Sequence, residues 1–157
     1  MATATVVATL LAACASGSGS GQSRPAATTP PATTSTTVRT TTLTASLTGG
    51  AVVPAPGGAE ASGEARVILD PDAGRLCWEV TVSGVGPPAA AHLHTAPLGA
   101  VGPVTVALTA VPGGPATGCA DVPPELAASV AANPAGFYVD VHDDAFPGGA
   151  ARGQLGR

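Results

Sequence analysis

The sequence predicts an all-β domain, mainly an antiparallel β-sandwich of the immunoglobulin-like kind, with one short crossover helix. Three observations predict this class. The 157 residues include 21 glycines and 16 prolines, which is typical of a chain with many turns. Between these turns, short apolar segments alternate with polar residues, as they do in half-buried strands. Only one stretch, residues 121–136, has both a start and a stop signal for a helix.

Seven segments of alternating polarity are the expected strands. In RLCWEVTV, for example, Leu76, Trp78 and Val80 share one face of the strand, whereas Cys77 and Glu79 share the other. The segments are Thr42–Thr48, Glu64–Leu69, Leu76–Val82, Ala90–His94, Val104–Leu108, Phe137–His142 and Ala150–Leu155.

Two local signals indicate how neighbouring segments connect. The turn LDPDAGRL has Pro71 and Gly74 at positions that suit a tight turn, so it predicts an antiparallel hairpin between the second and third strands. In DVPPELAASVAANPAG, Asp121 stands at the position of a helix cap, and two prolines and Glu125 occupy the first turn. A Pro-Ala-Gly triplet marks the end of this helix, which is expected to cross over between two strands.

The first 14 residues resemble a lipoprotein signal peptide. The apolar run in MATATVVATLLAACASGSGSG is shorter than the about 20 residues that span a bilayer. It ends in Leu-Ala-Ala-Cys, a lipobox in which Cys14 carries the lipid. An ordinary secretory leader with an incidental cysteine is the alternative. Residues 15–42, rich in Ser, Gly, Thr and Pro, are expected to form a disordered tether, and residues 43–157 the folded domain.

Cys77 and Cys119 are the cysteines that remain once Cys14 is assigned to the lipid anchor. An even pair of cysteines in an exported domain predicts a disulfide. In the chain-entropy view, this bond stabilises the fold by at most about 4 kcal/mol. A redox-active pair is the alternative, but the two residues lack C-x-x-C spacing.

Three stretches together carry a family resemblance. LTASLTGGAVVPAPGGAEASGEARVILDPDAGRLCWEVTVSGV, AAHLHTAPLGAVGPVTVAL and AANPAGFYVDVHDDAFPGGAARGQL resemble the CHRD domain, a module named after chordin. The most specific parts are H-x-H before a Gly-Pro turn, and Y-V-x-V-H before AFPGG and R-G-Q-L. Thr95 stands where the family usually has glycine, and Ala151 where it has Glu or Leu. The resemblance implies a bacterial exported lipoprotein with a binding module and no established catalytic activity.

The three histidines, His92, His94 and His142, fall on strand faces opposite the most apolar ones. Histidines two residues apart on a strand lie on one face, about 6–7 Å from each other. If the strand of His142 is a neighbour, the three rings form a nitrogen set suited to zinc or copper. The other interpretation is structural, with the rings hydrogen-bonded to loop backbone and to Tyr138 or Asp140.

The first interpretation of function is a lipid-anchored, extracytoplasmic binding or adhesion-type module of unknown ligand on the outer face of the cell membrane. No catalytic residue, enzymatic activity or cofactor is expected, because no nucleophile lies in a recognisable elbow. The net charge of −4 argues against nucleic-acid binding, so the expected partner is a protein or a cell-envelope component. The alternative is a metal-binding exported domain that holds copper or zinc with His92, His94 and His142. The paired-metal centre of a copper–zinc superoxide dismutase needs more histidines than these.

Overall fold

The computed structural model describes residues 39–87, 90–109 and 115–157. Within these ranges the chain forms eight β-strands, one α-helix and two single-turn 3-10 helices. In chain order the main elements are β1 (Thr41–Thr48), β2 (Ser62–Asp70), β3 (Arg75–Ser83), β4 (Ala90–Thr95), β5 (Val104–Leu108), β6 (Ala116–Asp121), α1 (Pro124–Ala132), β7 (Phe137–His142) and β8 (Ala151–Gln154). The predicted leader and most of the predicted tether lie outside the described residues.

The eight described strands form one antiparallel sheet, in the order β5-β4-β7-β8-β1-β2-β3-β6. The two halves of this order meet between β8 and β1, where Thr48 is paired with Arg152. Four residues further along, the backbones of Thr44 and Gly156 exchange two hydrogen bonds of 2.9 and 2.8 Å. Hydrogen bonding is therefore continuous from β5 to β6.

A single hydrophobic core lies under the inward faces of both halves of the sheet. Leu43 and Leu69 from one half, and Leu93 and Val139 from the other, are each 0% exposed. The alternation of the sequence predicts these inward positions, and burying one such side chain stabilises the fold by roughly 1.5–3 kcal/mol. The predicted class, all-β with one short helix, is confirmed.

The predicted hairpin between β2 and β3 is present. Asp70 and Arg75 form its last cross-strand pair, and between them Gly74 has a φ of +61°, which residues with a side chain rarely adopt. The Asp70 carboxylate accepts a 2.9 Å hydrogen bond from the amide of Ala73. The turn is thus stabilised by the side chain of Asp70 and by the positive φ of Gly74, both residue types that the sequence places there.

The strand β6, which the polarity pattern of the sequence does not predict, is paired with β3 along its whole length. The register places Cys119 directly opposite Cys77, and the two form the predicted disulfide. Gly118 lies opposite Trp78, and a β-carbon at position 118 would come within 2.5 Å of the ring carbon Cζ2. Trp78 fills the space in front of Gly118, and the other inward residues of β6 are alanines, so the strand has no strong apolar alternation.

The helix α1 begins later than the cap predicted at Asp121. Asp121 is the last residue of β6, and its carboxylate lies 3.7 Å from Arg75 on the surface. The helix begins at Pro124 after Pro123, without a side-chain cap, because proline has no N–H that needs a partner in the first turn. Val130 packs into the core. The cap at Asp121 is wrong, and the helix itself is confirmed; no helix of the described ranges is long and apolar enough to cross a bilayer.

Candidate metal centre

Two neighbouring strands, β4 and β7, bring the three histidines together. Their register places His92 opposite Asp140, His94 opposite Tyr138, and Ala90 opposite His142. Because alternate residues of a strand share a face, the polar side chains of both strands lie on the face that points away from the core. The strand of His142 is thus the neighbour that a three-histidine site requires.

The donor atoms of His92, His94, Asp140 and His142 all lie within 4.8 Å of one another. Nε2 of His94 is 3.1 Å from Oδ2 of Asp140, and Nε2 of His142 is 3.1 Å from Oδ1. Nδ1 of His92 is 3.2 Å from Nε2 of His142 and 3.5 Å from Oδ1 of Asp140. Donors around a tetrahedral zinc ion with 2.0–2.1 Å bonds lie about 3.3–3.4 Å apart. These contacts therefore have the spacing of ligands around one ion.

The outer nitrogens of two rings are held by loop carbonyls. Nδ1 of His94 donates a 2.9 Å hydrogen bond to the carbonyl of Gly102, and Nδ1 of His142 donates one of 2.9 Å to that of Pro147. A carbonyl only accepts, so the proton of each neutral ring is on Nδ1 and a lone pair is on Nε2. Both lone pairs face the Asp140 carboxylate. Metal-bound histidines are oriented in the same way, with the other ring nitrogen donating to a carbonyl or carboxylate.

The cluster is largely withdrawn from water. His94 is 8% exposed and Asp140 7%, while the side chains of His92 and His142 are 24% and 16% exposed. Burial lowers the pKa of His92, although Asp140 opposes this effect. The hydrogen bond to Asp140 raises the pKa of His142. Because the side chains of His92 and His142 are the more exposed ones, an ion bound in the cluster would meet the solvent on their side.

Two loops cover the cluster, residues 96–103 and 143–150. Asp143 holds the second loop in place, because its carboxylate accepts hydrogen bonds from the amides of Gly86 and Phe146, at 2.8 and 2.7 Å. Asp143 is buried, and because both of its carboxylate oxygens accept from backbone amides, it is not a member of the histidine cluster. The cluster is the one place in the described parts of the chain where three or more His, Cys, Asp or Glu side chains could hold an ion.

The hydrogen bonds of the structural interpretation are also present. His94 and His142 bond to loop backbone and contact Asp140, as that interpretation expects. Tyr138 contributes differently, because its ring stacks on His94 at 4.6 Å and 8°. Its hydroxyl accepts a long, 3.4 Å hydrogen bond from the amide of Gly102. The contacts therefore fit both interpretations.

Asp140 is the cluster member that the predicted site residues left out. Its signal was in the sequence, since Tyr138, Asp140 and His142 alternate along one strand and share a face. The other predicted site residues lie elsewhere: Cys77 and Cys119 form their disulfide between β3 and β6, and the predicted lipidation site at residue 14 lies outside the described residues.

Comparison with known proteins gives one match. The family model of the CHRD domain matches residues 43–155, which run from the third residue of β1 to just past the end of β8. No curated protein and no solved structure matches the chain.

Proposed function

The chain belongs to the CHRD family, and from this premise we propose that it is an exported domain that binds one zinc or copper ion through His92, His94, Asp140 and His142. One observation carries the proposal. The Nε2 lone pairs of His94 and His142 converge on a carboxylate that can only accept. Acceptors this close repel each other unless a proton or a cation lies between them. A divalent ion satisfies all four donor atoms at once, whereas each proton satisfies a single pair.

The donor set favours a transition metal over calcium or magnesium. Three imidazole nitrogens and one carboxylate are ligands of zinc and copper, whereas calcium and magnesium prefer sets made of oxygen atoms. Four protein ligands also close a tetrahedral site, while catalytic zinc sites keep one position for water or substrate. We therefore propose a binding role without enzymatic activity.

The proposal is tested by thermal unfolding of the purified protein during titration with zinc and with copper. Saturable one-to-one binding is expected to raise the melting temperature, because an ion at 100 times its dissociation constant stabilises the native state by about 2.7 kcal/mol. His94→Ala, His142→Ala and Asp140→Asn are expected to lose this response.

Asp144→Asn is the matched control, because Asp144 is an exposed carboxylate two residues from His142 and outside the cluster. It is expected to respond to metal as the wild type does. A wild-type melting temperature that neither ion changes, with no bound metal after dialysis, would overturn the proposal.

A second candidate function is the binding of a protein or cell-envelope partner. It is favoured by apolar side chains that point into solvent beside the cluster: Leu98 and Val101 are 75% and 65% exposed on the loop 96–103. Affinity capture from intact envelope tests it. Recovery of the same component by wild type and by Leu98→Ser would count against this surface.

A further inference from the structure

Tyr138 is stacked from both sides on the outer face of the sheet. The strand β7, which carries Tyr138, lies between β4 and β8. From β4, the ring of His94 lies parallel to the phenol ring, with centroids 4.6 Å apart and planes at 8°. From β8, the guanidinium carbon of Arg152 lies 3.5 Å from the phenol centroid. Tyr138 and Arg152 are each 3% exposed, so the stack is buried.

One loop binds all three members of this stack. The carbonyl of Gly102 accepts from His94, and the amide of Gly102 donates to the hydroxyl of Tyr138. The carbonyl of Pro97 accepts a 3.4 Å hydrogen bond from Nη2 of Arg152. The hydrogen bond to Gly102 and the stacking plane together restrict the rotation of the His94 ring, and they leave Nε2 directed at Asp140.

The other two imidazoles have no parallel partner among the described residues. His92 contacts His142 edge-on, with centroids 5.0 Å apart and planes at 63°, and contacts His94 at 5.6 Å and 83°. Both side chains are also more exposed than that of His94. His94 and His142 each donate to a loop carbonyl, but of the three histidines His94 alone also has a ring stacked on its plane, so its orientation is the most restricted.

We infer that Tyr138 and Arg152 are positioning residues for the metal ligand His94. This inference rests on the proposed metal-binding function. The guanidinium is attracted to the negative face of the phenol ring and restricts the rotation of that ring. The phenol ring in turn restricts the orientation of the imidazole plane by stacking on it. A ligand held in its binding orientation loses less conformational freedom on binding, so the stack increases the affinity for the ion.

The test compares metal affinity and copper(II) electron paramagnetic resonance spectra of four proteins. Tyr138→Leu retains apolar volume and removes the ring, so its dissociation constants for zinc and copper are expected to rise about 10–100-fold. Its copper spectrum is expected to show fewer coordinated nitrogens than the wild type. Tyr138→Phe retains the ring but loses the hydroxyl that accepts from the amide of Gly102, so it is expected to bind both ions more tightly than Tyr138→Leu does and to keep the nitrogen count of the wild-type spectrum. Arg152→Met removes the guanidinium and is expected to weaken binding in the same direction as Tyr138→Leu.

The outcomes separate the two proposals. If the wild type binds no ion, the proposed function fails. If the wild type binds and both Tyr138→Leu and Arg152→Met bind with unchanged affinity and spectrum, the positioning role is overturned. Unfolding curves in chelator identify variants that fail to fold, and if Tyr138→Leu is one of them, Arg152→Met decides the question.

Discussion

Asp140 is the residue on which the chemistry of the cluster depends, because its carboxylate lies within 3.5 Å of a nitrogen of each histidine. Without an ion, a proton on His142 turns a repulsive contact into a charged hydrogen bond, and the pKa of His142 is accordingly raised from 6.5. A group whose pKa is raised on folding stabilises the native state most below its unfolded value. This stabilisation is lost as the pH rises through the folded value.

This pH dependence of stability can be measured by unfolding wild type and His142→Gln in chelator at a series of pH values. Hydrogen bonds to charged groups contribute about 1.5–3 kcal/mol, so the wild type is expected to exceed the variant in unfolding free energy by more at pH 6 than at pH 8.5. With zinc present, the trend is expected to reverse, because the ion binds neutral imidazole. His92, whose pKa is lowered by burial, is present in both proteins. A difference in chelator that does not change with pH would contradict the role given to His142.

Residue positions on the strands could be predicted, whereas their loop partners could not. Period-two alternation placed His92, His94 and His142 on the polar face, and the same rule applied to Asp140. The carbonyls of Gly102 and Pro147 belong to loops with no repeating pattern, so their positions follow only from the folded chain. The sequence therefore predicts the identity of the nitrogens and not the direction in which they point.

At the scale of elements, β6 shows where hydrophobic alternation fails as a signal. Its inward residues, Ala116, Gly118 and Ala120, are all small, and at Gly118 the reason is that Trp78 of β3 occupies the space in front of it. The hairpin β2–β3 was predictable, because its turn chemistry is local to Asp70 and Gly74. A strand shaped by a side chain 40 residues away in sequence has no such local signal.

Gly118→Ala tests this packing. The new β-carbon would lie 2.5 Å from Cζ2 of Trp78, and relieving such an overlap in a packed core costs about 1–3 kcal/mol. Gly50→Ala is the control, since a β-carbon there meets no atom within 4 Å. Urea unfolding is expected to show a lower midpoint for Gly118→Ala than for Gly50→Ala. Equal midpoints would mean that Trp78 moves without cost.

At the scale of the whole molecule, the family match covers residues 43–155, and the structure describes residues 39–87, 90–109 and 115–157. The first 38 residues are interpreted from sequence alone. We propose that a lipid on Cys14 holds the protein at the outer face of the cell membrane. Residues 15–42, which are rich in Ser, Gly, Thr and Pro, would then link the lipid to the folded domain.

Cys14→Ser is expected to abolish lipidation, so the variant leaves the membrane fraction or keeps its leader. Fractionation with mass spectrometry of the amino terminus measures both results. A Ser16→Ala protein, changed two residues away, is expected to behave as the wild type. If Cys14→Ser stays in the membrane fraction with a lipid attached, the lipobox is wrongly assigned.

The order of the strands also bears on self-association. At its two ends stand β5 and β6, with five and six residues, and strands with unpaired backbone groups are where sheets recruit further chains. Pro103 precedes β5, Pro115 precedes β6, and Cys119 ties β6 to its neighbour. Proline offers no N–H to an incoming strand. Neighbouring copies of the protein would thus present short edge strands to one another, which disfavours edge-to-edge pairing of their sheets and aggregation.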